Sequence, residues 1–140
     1  MITTNDVMVG DWVRIIIEGE KFFAVIKSIK QDTEEIGVAF LAAPGDWEDG
    51  DGYDEIEPVK LTTDILEANG FDYEKNVGLV FDDYSGSKVI YDTWNHELKI
   101  LRDYEVILNI KSWFDDMPVH ELQHALKLCG VEKEIILNAD

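Results

Sequence analysis

The sequence predicts an α+β fold, a small N-terminal β-barrel followed by an antiparallel sheet with two short helices. Three observations predict it. The first third is a series of β-branched and aromatic runs separated by tight turns. Further runs of that kind are interrupted by only two segments with helical spacing, without the strand–helix–strand alternation of a parallel sheet. The hydrophobic share, 46% of 140 residues, is ordinary for a chain that builds its own core. The expected lobes are 1–60 for the barrel and 61–140 for the α+β part, with one continuous domain as the alternative.

The barrel opens with "DWVRIIIEGEKFFAVIKSI", in which two strand runs flank Glu18-Gly19-Glu20, a hairpin signal. Trp12 and Phe23 follow the strand period and are assigned to the core. "EIGVAFLAA" is a third strand, closed by Pro44-Gly45. "GDWEDGDGYDEIEPVKLT" reads as a glycine-rich acidic loop followed by a short strand near Ile56 to Val59. Next, "TTDILEANGF" has the signals of a short helix: Thr62 or Thr63 as cap, Asp64 at the positive end of the dipole, Asn69-Gly70 as the stop. Its Ile65, Leu66 and Phe71 would dock it on a sheet.

"VGLVFDDY" and "SKVIYDTW" are strands separated at Ser85-Gly86, and "HELKILRDYEVILNI" divides into two around Arg102-Asp103. The last helix starts near Pro118, where a missing N–H costs nothing, and ends at Gly130. "EKEIILN" reads as a final edge strand.

Net charge is −18, from 30 acidic and 12 basic residues, and every charged side chain from Asp32 to Glu57 is acidic. Such a surface repels phosphate backbones and anionic membranes, which argues against direct nucleic-acid or membrane binding and favours cationic protein partners. No apolar run approaches a membrane span, and "MITTNDVMVGDWV" lacks the features of a secretory signal. Cys129 is the only cysteine, so neither an internal disulfide nor a cysteine zinc cluster is available. The expected setting is cytoplasmic.

"VHELQHAL" contains His-Glu-x-x-His, the pattern that sets two imidazoles one helical turn apart on a zinc ion with a glutamate as base. His120 and His124 would be the ligands and Glu121 the base of a zinc-dependent hydrolase. Three features oppose this reading. A third ligand is wanting: Lys127 and Gly130 stand where an extended motif needs glycine and histidine, and no further helix follows. Pro118 places the motif in the first turn of its helix. Finally, Val119, Leu122, Leu126 and Cys129 form one apolar stripe, leaving His120, Gln123, His124 and Lys127 on the face expected to meet water. The acidic loop also fits an EF-hand superficially, with Asp46, Glu48, Asp54 and Glu57 as ligands. That fit fails because Asp51 occupies the glycine position and Gly50 a ligand position. A looser divalent-cation site in this loop is left open by the sequence; otherwise no metal or other cofactor is expected, and no nucleophile elbow or glycine-rich phosphate cradle is present.

The remaining candidate site is Trp47, Asp49, Asp51 and Tyr53, aromatics with flanking charge of the kind that anchor protein interfaces. The competing reading has these aromatics folding back over a sheet edge. Trp94 and Trp113 carry no assignment.

"VGDWV", "IEPVKLTTDILEANGF" and "VHELQHALKLCGVEKEI", in that order, resemble an uncharacterised family of small proteins from gut Bacteroidetes, often carried in prophages and other mobile elements. The family commonly has Gln in place of Glu121 and Asn in place of His124, which implies a helix that needs no metal. The opening also resembles small SH3-like β-barrels, binding modules by fold-level analogy. The expected function is a non-enzymatic accessory or protein-binding module with an unidentified protein partner. The alternatives are the zinc hydrolase and an acidic inhibitor, immunity protein or nucleic-acid mimic. Oligomeric state is left open by the sequence.

Overall fold

The computed structural model describes residues 6–43, 45–50, 52–111 and 117–137. Among these residues the protein is mostly β, with two five-stranded antiparallel sheets and two short helices. Its contacts divide it into two compact units, Met1–Val59 with Leu137–Asp140, and Lys60–Ile136.

Unit 1 holds β1 (Trp12–Ile17), β2 (Glu20–Lys30), β3 (Glu35–Ala43), β4 (Asp46–Asp49) and β5 (Glu55–Pro58), in the order β4-β3-β2-β1-β5. The β1–β2 turn is the one the sequence marks, with Glu18 and Gly19 both left-handed and Ile17 paired to Glu20. Two left-handed residues match the twist of the strands they join. Val13 and Ile15 from β1, Ala24 and Ile26 from β2, and Val38 and Phe40 from β3 alternate onto one face and form the core. The valine, isoleucine and phenylalanine side chains each contribute roughly 1.5–3 kcal/mol by leaving water, and Ala24 less. Register shifts between Ile26 and Ser28, a bulge that bends the long β2. Among the described residues no ladder joins β4 to β5, so the sheet is open and no closed barrel is seen. Part of the expected loop is instead strand β4, pairing Trp47 with Leu41 and Glu48 with Phe40. Acidic residues are poor strand formers, but all four of β4 are exposed, so their charges stay hydrated.

Unit 2 begins with α1 (Thr63–Ala68), capped by Thr62 Oγ1, which accepts from Ile65 N–H at 3.2 Å. A meander follows: β6 (Asp72–Glu74), β7 (Gly78–Asp82), β8 (Ser87–Asp92), β9 (Glu97–Arg102) and β10 (Glu105–Lys111). The fully buried side chains include Leu66, Phe71, Leu79, Leu98 and Ile100. α2 (Val119–Leu128) starts after Pro118, and the Arg102 guanidinium donates to the carbonyl of Cys129 at its negative end. No helix among the described residues is long and apolar enough to cross a membrane.

Three further expectations are overturned, the first being that Phe23 is core: it is half-buried under the Arg14 guanidinium and outside the cluster of Val13, Ile15 and Ala24. "EKEIILN" is no strand over its described residues. Ile136 donates to Asn69 Oδ1 at 2.7 Å and accepts from Asn69 Nδ2 at 3.0 Å, so a side chain takes the bonds that a neighbouring strand would have taken. His120 is not on a wet face; it is buried with Val119, Leu122, Ala125 and Leu126. His120 stands about 100° round the helix from Val119, off the apolar stripe, so its burial comes from chain packed over the helix start rather than from the helical period.

Candidate functional site

Three places in the fold bring candidate side chains together. The first is the His-Glu-x-x-His helix. The rings of His120 and His124 lie 5.6 Å apart between centroids, tilted by 57°. His120 is buried, His124 is half-buried, and Glu121 is exposed in the first helical turn, where a carboxylate suits the dipole. Among the described residues no group of three His, Cys, Asp or Glu side chains is placed to hold a metal ion. Among the described residues, then, the two imidazoles have no third protein ligand of the kind a catalytic zinc requires. The same finding applies to Asp46, Glu48, Asp54 and Glu57.

The second is the acidic segment of unit 1. Its aromatics are brought back onto their own sheet. Trp47, on the edge strand β4, is 46% exposed and sets its ring 5.6 Å from that of buried Trp12. Tyr53 packs against the core of unit 1 and donates its hydroxyl to the Ile36 carbonyl at 3.1 Å. Burial raises the Tyr53 pKa above its ordinary value. Asp49 is exposed on β4, and Asp51 lies outside the described residues. Gly50 is buried: a Cβ there would collide with the Val38 side chain, so only glycine lets this segment lie against β3. Asp54 secures the far end, donating its N–H to Ile16 at 2.8 Å and accepting from Glu18 N–H at 2.9 Å. Ser28, Glu35 and Tyr53 line a groove of about 510 Å³ beside it.

The third was not indicated by any motif. The β7–β8 and β9–β10 turns lie at the same end of the second sheet, because Ser87 pairs with Arg102. Tyr84 in one turn and Tyr104 in the other are 93% and 97% exposed, with φ of 59° and 70°. Both turns are built firmly. Asp82 Oδ1 accepts from Tyr84 N–H at 2.8 Å, and Asp83 Oδ1 accepts from the N–H groups of Ser85 and Ser87 at 2.9 and 3.0 Å. The backbone bond from Ser85 leads those that hold the Asp83 carboxyl below its ordinary pKa. Asp103 N–H donates to the Gly86 carbonyl at 2.9 Å and ties the two turns together. A cleft of about 380 Å³ lies between them, with Asp82, Lys88, Asp103 and both tyrosines in its lining. The available signal was the pair of dipeptides Asp83-Tyr84 and Asp103-Tyr104 at strand ends, each with tyrosine where a turn favours glycine or asparagine.

At the other end of that sheet Trp94 is 90% exposed in the β8–β9 turn. Asp92 accepts there from Trp94 N–H at 2.9 Å and from Asn95. Burial pulls the Asp92 carboxyl upward, but its bonds to Asn95 and Trp94, with Lys99 nearby, outweigh this and lower its pKa.

Set against family models, curated proteins and solved structures, the chain matches none. The site geometry thus stands as the ground for function.

Proposed function

We propose that the protein is a non-enzymatic, acidic accessory or protein-binding module of a phage or other mobile element, with unit 1 as an SH3-like β-barrel that meets its partner through β4. The carrying observation is Trp47, nearly half exposed on an open edge strand and backed by the buried ring of Trp12. A large aromatic supported from behind and surrounded by exposed Asp46, Glu48 and Asp49 has the make-up of an interface anchor with a charged rim. The barrel reading is supported by β1 lying between β2 and β5 and by the bulge that bends β2. The partner is a protein with an apolar pocket and a basic rim, given the net charge of −18.

The test is affinity capture from a gut Bacteroidetes lysate with wild type, Trp47→Ala and Trp47→Phe, each checked for an unchanged circular dichroism spectrum. The expected result is a partner held by wild type, lost with Trp47→Ala and partly kept with Trp47→Phe. Capture that is indifferent to both substitutions removes β4 as the docking strand.

A further inference from the structure

The tyrosines of unit 2 stand in positions that work against them. The β9–β10 connection is a two-residue loop, since Arg102 pairs with Glu105 around Asp103 and Tyr104. Both central residues are left-handed, at φ 52° and 70°. That turn favours Asn-Gly or Asp-Gly, because a side chain at positive φ meets its own backbone. Tyrosine takes the glycine position in this loop and is then left 97% exposed, so its ring recovers no packing for the strain. Tyr84 repeats the arrangement across the cleft, with φ 59° and 93% exposure. Strain of this kind at two neighbouring exposed aromatics points to a role outside the folded chain.

The surroundings show rigidity and charge. The Asp82, Asp83 and Asp103 bonds hold both turns, so the rings are mounted on ordered backbone and contact need not order the turns themselves. Gly86, at φ 110°, gives the Asp103 carboxylate room: a Cβ there would stand 2.9 Å from Asp103 Oδ1. Two carboxylates, Asp82 and Asp103, and one cation, Lys88, stand in the cleft lining, so its formal charge is net negative. At about 380 Å³ the cleft is near the lower end of ligand sites, which run roughly 300–1,000 Å³, and suits one side chain better than a helix.

We propose that this cleft is a second binding site, which receives an arginine side chain from a basic protein partner. Tyr84 and Tyr104 stack on the guanidinium, and the Asp103 carboxylate accepts its N–H groups. Arginine suits it better than lysine because its planar, weakly hydrated head can face aromatic rings and still present a fork of donors to a carboxylate. The acidic net charge of the chain attracts such a partner over distance. The site shares no residue with β4 and does not depend on the reading of unit 1.

The test is a ¹H–¹⁵N NMR titration of the full chain with three capped tripeptides, Gly-Arg-Gly, Gly-Lys-Gly and Gly-Gln-Gly. The arginine peptide is expected to shift amides at 82–88 and 101–105, with the lysine peptide weaker and the glutamine peptide silent. Tyr104→Ala is expected to weaken arginine binding by roughly two- to fivefold, the range of an exposed cation–π contact. Tyr84→Gly with Tyr104→Gly is expected to abolish the shifts while raising the melting temperature, because the strain is relieved. The gain in stability shows that the loss of binding is not a loss of fold. Equal shifts with the glutamine peptide, no shift at these amides at millimolar arginine peptide, or unchanged shifts in the double variant would overturn the assignment.

Discussion

The acidic segment of unit 1 and the hairpin turns of unit 2 both present aromatics among carboxylates, yet they use them in opposite ways. Tyr53 is bound to Ile36 and packed on the core, and Trp47 rests on Trp12. Tyr84 and Tyr104 are almost wholly in water, on turns whose backbone disfavours them. Tyr53 stabilises its own sheet, and Trp47 is backed by that sheet while nearly half of it stays exposed. The second pair contributes little to the fold and is held in place by it. An aromatic in an acidic stretch is therefore a weak index of an interface until it is known what lies behind the ring.

Substitution separates the two roles most sharply at Tyr53. Tyr53→Ala removes a partly buried ring and a hydrogen bond, and an unfolding free-energy loss of about 2 kcal/mol is expected in urea titration. Tyr84→Ala is expected within about 0.5 kcal/mol of wild type. Equal losses for the two would erase the distinction. The next effect has the opposite sign: Tyr104→Gly is expected to stabilise by about 1 kcal/mol, since glycine takes positive φ without a Cβ clash. A destabilised Tyr104→Gly protein would mean that the ring packs on its own chain after all.

The smallest effect is with pH. The carboxyls of Asp83 and Asp92 are both held below their ordinary value of 3.8 by hydrogen bonds in their turns. A depressed folded pKa contributes stability that is present above the unfolded value and is lost as pH falls through the folded one. The unit 2 turns are therefore expected to loosen below about pH 4. Hydrogen exchange at the Ser85 and Ser87 amides should speed up there, and Asp83→Asn should remove that pH dependence at those two positions. Exchange that stays flat down to acid pH would disconnect the turn from its carboxylate.

Several strands were legible because their signals are local. β3 follows "EIGVAFLAA" from end to end, and Arg102-Asp103 marks the break between β9 and β10. Thr62 and Asn69-Gly70 delimit α1, with Thr62 the observed cap and Gly70 left-handed. β4 and β6 were missed. Both are short, exposed edge strands whose residues resemble loop composition, and they exist because β3 and β7 offer open backbone to pair with. The final segment misled for the reverse reason. Its alternation resembles a strand, but the partner for Ile136 is the Asn69 side chain, sixty-seven residues away.

The candidate sites divide along the same line. Acidity, a single cysteine and His-Glu-x-x-His are properties of composition and spacing, and they are the same however the chain folds. Whether His120 meets water, whether Tyr53 is anchor or core, and which tyrosines share a cleft depend on contacts between residues distant in the chain. Sequence determined the periodicities, the turns and the charge of this protein, because each arises within a few residues of backbone. Only the tertiary structure decided the burial of His120 and the exposure of Tyr84 and Tyr104, because accessibility belongs to the surface that the packed elements make together.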